Sequence, residues 1–212
     1  MLIQPAFITF TGIDDRTDLT MADSLASQYP IEWGVLFSSN NRDARFPSTQ
    51  AVMEILSISG MKSAHLCGAF SKQAQSGAIP EGVPLLEFDR VQINGFNLDQ
   101  TYFNDIEAQY GVQLIQQMRS ESFDVESKHL QLYDRSGGAG ILPVSVPKLG
   151  GQDRLVGYAG GIGPDSVLHY LEMIEGVGKF WIDMEGKVRT DGWFDVRKAA
   201  QVCEAVFRTI AR

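Results

Sequence analysis

With 212 residues, 44% of them hydrophobic and 21% charged, the chain has ordinary globular composition, which excludes disordered, collagen-like and disulfide-framework classes and fits one domain with a sizeable core. A formal net charge of -8, with acidic and basic residues interspersed, excludes the basic stripe that a nucleic-acid partner requires. The start at Met1-Leu2-Ile3-Gln4-Pro5 has no secretory pattern, no apolar run matches a membrane span, and Cys67 and Cys203 have no metal-ligand or framework spacing, so a reducing cytoplasm is expected.

Short apolar runs alternate with longer amphipathic stretches, the pattern of βα units on a parallel sheet. Ala6–Phe10 predicts the first strand, and Leu19, Ala22, Leu25 and Ala26 recur at helical spacing within Asp18–Tyr29. Trp33–Phe37 is the second run. Its helix, Thr49–Ile58, sets Val52, Ile55 and Leu56 on one face and opens at Pro47-Ser48. Ser63–Cys67 is the third, followed by a short, weak helical segment containing Gly77 and Pro80. Arg90–Asn94 is the fourth, with a helix from Asp99 to about Tyr110. Val112–Gln116 is the fifth, and the mostly polar Ser120–Lys128 after it has the weakest helical pattern. Leu130–Tyr133 is the sixth; Leu155–Ala159, the seventh, precedes a helix at Asp165–Ile174. Lys179–Asp183 is the eighth, and the last helix, Asp195–Ile210, carries Val196, Ala199, Ala200, Val202, Cys203 and Val206 on its inner stripe. Eight such units are the inventory of an α/β (β/α)8 TIM barrel, here a single domain over residues 1–212. An open doubly wound sheet is the rival, but it would place a Gly-rich fingerprint after the first strand, where Gly12 stands alone.

Loops leaving the C-terminal ends of barrel strands form the active face. They contain Thr11, Asp14 and Asp15; Ser38, Asn40, Arg42 and Arg45; Cys67; Asn94; Asp134 and Arg135; Gly160 and Gly161; and Asp183, Glu185 and Gly186. In Tyr158–Asp165, glycine N–H groups at a helix start can turn toward an anion. Asp183–Lys187 makes a second Gly-rich turn after the eighth strand. Either turn alone reads as a tight βα connection; the two together, on the strands that usually cradle phosphate, favour a phosphate. Asp134, before Gly137-Gly138-Ala139-Gly140, suits a partly desolvated general acid and a turn former equally. His65 reads as a packed residue, and with His129 and His169 it shows no convergent ligand spacing, so neither metal nor cofactor is expected.

These residues resemble phosphoribosylanthranilate isomerase, the barrel enzyme of tryptophan synthesis that carries out an Amadori rearrangement. Gly12-Ile13 with an acidic, polar turn matches the family's first loop, and Val91-Gln92-Ile93-Asn94-Gly95 is similar to its Gln-Leu-His-Gly. Leu132-Tyr133-Asp134 with Gly137, Gly138 and Gly140 resembles the stretch bearing its acid. Ala159–Val167 is similar to its Ala-Gly-Gly-Leu-x-Pro-x-Asn-Val, and the tail through Asp183, Gly192 and Asp195 keeps its spacing. The likeness thins over residues 71–83 and 118–128. It implies Asp134 as acid, Gly138, Gly160, Gly161 and Gly186 as phosphate cradle, Arg45 facing a substrate carboxylate, and Gln92 and Asn94 as substrate contacts. Three departures alter the chemistry. Thr9-Phe10-Thr11-Gly12 stands where the family has Lys-Ile-Cys-Gly with a cysteine base, and a threonine hydroxyl is no base near neutral pH. Thr11 then marks the place of the reacting carbon, and the base is left open among Cys67, Asp14, Asp183 and Glu185. Asn94 replaces a histidine, and Met184-Glu185 a serine pair; Glu185 opposes an anion unless it pairs with Lys187 or Arg189. The expected function is that of an isomerase-like enzyme on a phosphosugar or other phosphate-bearing small molecule, the family's standard activity staying open. An aldolase or epimerase using Asp183 or Glu185, and a non-catalytic metabolite-binding barrel, are the alternatives. The expected partner is a phosphorylated small molecule, with a homodimer left open and with no nucleic acid and no membrane.

Overall fold

The computed structural model describes residues 3–40, 43–95, 97–151 and 154–208. Eight parallel strands run in sequence around a closed barrel: β1 (Ile8–Thr11), β2 (Ile31–Phe37), β3 (Met61–Leu66), β4 (Arg90–Ile93), β5 (Gln113–Met118), β6 (Leu130–Tyr133), β7 (Val156–Tyr158) and β8 (Phe180–Met184). β8 pairs back onto β1, with Thr9 opposite Asp183. The strands are almost continuously buried, because helices cover one face and the barrel interior the other.

The outer layer is α1 (Leu19–Ala26), α2 (Thr49–Ser57), α3 (Ala69–Gln75), α4 (Phe103–Tyr110), α5 (Val167–Glu172) and α6 (Val196–Cys203), the last continuing as a wider π turn through Arg208. Asp18, Ser48 and Asp195 cap α1, α2 and α6 by accepting first-turn backbone N–H groups. Gly111 closes α4 in the left-handed region, φ 69°, and its N–H returns to the Glu107 carbonyl at 2.9 Å. The α3 segment ends at Gln75, so Gly77 and Pro80 follow the helix instead of lying within it. The expected end of the last helix at Ile210 lies outside the described residues.

Two of the seven strand-to-strand connections hold no α-helix among the described residues. Between β5 and β6 the polar run offers no apolar stripe to bury, so single residues dock instead. Phe123 packs edge-on against Tyr158 at 5.4 Å, His129 packs against Phe103 at 5.3 Å, and Gln131 holds the Asp124 backbone at both its N–H and its carbonyl. Between β6 and β7 glycines and prolines replace a helix with a long loop. Two tyrosines from the strands anchor it, Tyr133 donating to the Ser145 carbonyl at 3.2 Å and Tyr158 to the Pro147 carbonyl at 2.7 Å. No helix of the described residues is long and apolar enough to cross a membrane.

Candidate active site

Alternation along the strands sends every second side chain inward, and here the interior is divided. From β1 to β4 the inward positions are Thr9, Thr11, Glu32, Gly34, Ser63, His65, Arg90 and Gln92, and all the polar ones are buried. From β5 to β8 they are mainly apolar, with Ile115, Leu130, Leu132 and Trp181 packing on Phe7. At the N-terminal end, Glu32 accepts from Arg90 Nε and Nη2, each at 2.5 Å, and from Thr9 Oγ1 at 2.8 Å. The Arg90 guanidinium lies over the rings of Phe7 and Trp181, 4.6 and 4.4 Å from their centres. Gly157 on β7 leaves the room for this layer: a Cβ there would strike the Trp181 indole and Leu132.

One layer higher stands Asp183, 5% exposed, at the inner end of β8. Thr11 Oγ1 donates to its Oδ1 at 2.7 Å, and no other hydrogen bond reaches the carboxyl among the described residues. Burial pushes this carboxyl up to about 8, the negative charges of Glu32, Glu185 and Asp134 adding to it against the Thr11 bond. It therefore carries its proton at neutral pH. Gly34 on β2 lets two groups converge beside it, since a Cβ there would lie 2.6 Å from Thr11 Oγ1 and 3.0 Å from His65 Nε2. His65 faces Ser63 Oγ at 3.0 Å, and burial brings its imidazole down to about 4, so the ring is neutral. Burial likewise pushes the Cys67 thiol up to about 11, which leaves no thiolate at neutral pH.

Asp134 has a different environment. Its Oδ1 accepts from Ser136 N, Ser136 Oγ and Gly137 N, and its Oδ2 from Gln117 Nε2 and Gly138 N, at 2.7 to 3.1 Å. Five donors occupy both oxygens and wind residues 136–138 around the carboxylate. The Gly138 N–H, expected to serve an anion, is spent on Asp134. The corner after β7 is more open. Among the described residues nothing accepts the N–H groups of Gly160 and Gly161, and Gly161, φ 69°, passes so close to the Gly140–Leu142 backbone that a Cβ would collide with it. Gly186 stands at the neighbouring corner after β8, with Lys187 beside it. Across the mouth Arg45 Nη1 meets Glu185 Oε1 at 3.1 Å, so Glu185 pairs with neither Lys187 nor Arg189. Gln92 donates to Asn94 Oδ1 at 2.7 Å, and Asn94 in turn to Cys67 Sγ at 3.1 Å, while the buried Gln92 Oε1 has no partner among the described residues.

These side chains share one cavity of about 330 Å³ at the C-terminal mouth. Comparison with solved structures gives the architecture a reference. The chain superposes on N-(5'-phosphoribosyl)anthranilate isomerase from Pyrococcus furiosus over 95% of its own length and 98% of the other's, with a TM-score of 0.62 and 15% identity. It matches the phosphoribosylanthranilate isomerase of Thermotoga maritima over 97% and 100%, with a TM-score of 0.64 and 12% identity. A phosphoribosylanthranilate isomerase in complex with reduced 1-(o-carboxyphenylamino)-1-deoxyribulose 5-phosphate matches over 95% and 98%, with a TM-score of 0.64 and 12% identity. The fold is that of phosphoribosylanthranilate isomerase. No protein-family model and no curated protein matches the chain.

On this phosphoribosylanthranilate isomerase fold the residues expected to form the site come together. Thr11, Arg45, Cys67, Gln92, Asn94, Asp134, Gly138, Gly160, Gly161, Asp183 and Gly186 all line the mouth cavity, and Glu185 lines it with them. Three strand-end candidates are engaged elsewhere. Asp14 accepts from Arg189 Nη2 at 2.7 Å and from Phe194 N at 2.8 Å, Asp15 holds Ser48 at the start of α2, and Arg135 faces the exposed Glu121. Arg42 lies outside the described residues. His65, Gln117 and Lys187 also line the cavity although the sequence did not single them out for it. For His65 the signal was its place two residues after Ser63 on β3 and two before Cys67, which follows the strand. Among the described residues no three His, Cys, Asp or Glu side chains are grouped to hold a metal.

Proposed function

We propose that this chain is an isomerase or a closely related enzyme, one barrel domain acting on a phosphosugar or another phosphate-bearing small molecule. The observation that carries the reading is Asp183: a buried carboxyl on the floor of the cavity, bonded to Thr11 alone among the described residues and pushed by burial up to about 8, below two glycine corners. One such group suffices for an isomerisation. It gives its proton to a substrate oxygen as a C–O bond or carbonyl is activated, and as a carboxylate it then takes a proton from the neighbouring carbon. The proton count closes and no oxidant or reductant is needed. Asp134 fits this scheme as a positioning residue, because its five hydrogen bonds shape the loop and leave it poorly placed to deliver a proton. An epimerase working from two opposed faces would pair the protonated Asp183 with a deprotonated base on the other face of the substrate. The neutral His65 and the protonated Cys67 supply no base of matching strength. The phosphate belongs at Gly160, Gly161 and Gly186, where backbone N–H groups and the Lys187 ammonium favour an anion.

Two measurements test this. Inorganic phosphate at about 100 times its Kd raises stability by about 2.7 kcal/mol, seen as a higher Tm, and Lys187→Ala weakens the effect. A Tm indifferent to phosphate and to a panel of phosphosugars removes the ligand from the proposal. For any phosphosugar turned over, Asp183→Asn lowers kcat/KM by about 10²- to 10⁴-fold, and the wild-type profile falls as pH rises through about 8. An unchanged rate in Asp183→Asn would remove the carboxyl from the chemistry.

A further inference from the structure

We infer that Glu185 makes the mouth of this cavity reject a second negative charge, so that the substrate carries a phosphate at one end and a neutral, hydrogen-bond-donating group at the other. The inference rests on the phosphate reading and adds the character of the opposite end. On that side, among the described residues, the cation facing an anion is Arg45, and it already pairs with Glu185. Its Nη1 meets Glu185 Oε1 at 3.1 Å, and its Nε lies 3.4 Å from Asp43 Oδ2. Two carboxylates thus flank one guanidinium among the described residues. A ligand carboxylate reaching for Arg45 has to displace Glu185, and the displaced side chain, 28% exposed, stays beside the newcomer in a partly dry mouth.

A second, independent observation gives the neutral end a positive description. Gln92 is 4% exposed, and its amide is held in place because Nε2 donates to Asn94 while Asn94 Nδ2 is committed to Cys67 Sγ. The carbonyl Oε1 is left buried and without a donor among the described residues. A buried acceptor in that state is costly until a donor arrives, and a ligand hydroxyl or N–H supplies one. The cavity therefore has an anion-favouring corner at Gly160 and Gly161, an acceptor at Gln92, and a self-neutralised cation at Arg45.

The test uses two compounds that differ in one group: reduced 1-(o-carboxyphenylamino)-1-deoxyribulose 5-phosphate and its counterpart with a plain phenyl ring. Calorimetry measures both against wild type, Glu185→Ser and Gln92→Leu, with inorganic phosphate as a third ligand. Wild type is expected to bind the phenyl compound about tenfold more tightly than the carboxylated one, and Glu185→Ser to reverse the preference as Arg45 is freed. Gln92→Leu should weaken the phenyl compound about tenfold and leave phosphate alone unchanged. Equal or tighter wild-type binding of the carboxylated compound, or a ratio unmoved by Glu185→Ser, overturns the inference, as does failure of both aryl compounds where phosphate binds. If phosphate and both compounds all fail to bind, the phosphate reading falls and takes this one with it.

Discussion

Asp183 keeps its proton in the fold up to about 8, whereas an ordinary aspartate carboxyl releases it near 3.8. Between those values the folded chain binds more protons at this site than the unfolded chain does. The stability Asp183 contributes is therefore fully present below 3.8 and is lost as pH rises through about 8. Asp183→Asn should accordingly gain stability relative to wild type between pH 5 and pH 8, measured by urea unfolding at both. A difference that does not move with pH would mean the carboxyl is ionised in the fold. His65 acts in the opposite sense, since its folded value of about 4 lies below the usual 6.5; its contribution is present above 6.5 and is lost as pH falls through about 4. Both groups lay in plain view in the sequence, yet their states did not. Strand-end position selected Asp183 and Asp134 alike. What separates them is one hydrogen bond against five, supplied by residues on β1, β5 and the following loop, and spacing along the chain carries no trace of that count.

At the scale of elements, β7 is three residues long and its Gly157 fits directly under Trp181 and Leu132. A methyl group there has nowhere to go, because the indole is fully buried and stacked on Phe7 at 6.0 Å. Gly157→Ala should cost about 1–3 kcal/mol in urea unfolding, and an effect near zero would show that the Trp181 layer yields freely. The strands were legible in the sequence to within one or two residues at most ends, because apolar runs such as Trp33–Phe37 have little alternative to a strand buried on both faces. The expected helix over 120–128 did not form, since Phe123 alone cannot give a helix an apolar face. The loop from 134 to 148 is fixed by Tyr133 and Tyr158, side chains of the strands it joins, and no local pattern announces bonds of that kind.

For the molecule as a whole, the buried pair of Glu32 and Arg90 is the largest departure from an apolar barrel, with side chains 0% and 4% exposed. Arg90→Met should cost about 3–5 kcal/mol by stranding the Glu32 charge, whereas Glu32→Leu combined with Arg90→Met should recover most of that loss. A double variant no more stable than the single one would show that the layer depends on its charges. Strand periodicity could have placed Thr9, Glu32, Ser63 and Arg90 on a common face. It could not say that this face points inward, because both faces of these strands are buried. The same layer has a further consequence for traffic. Arginine, glutamate and stacked rings stopper the lower end, so the barrel is a blind well and not a conduit. Water in it leaves by the opening through which a ligand enters, and a proton released from the bottom can travel only upward, past whatever occupies the mouth.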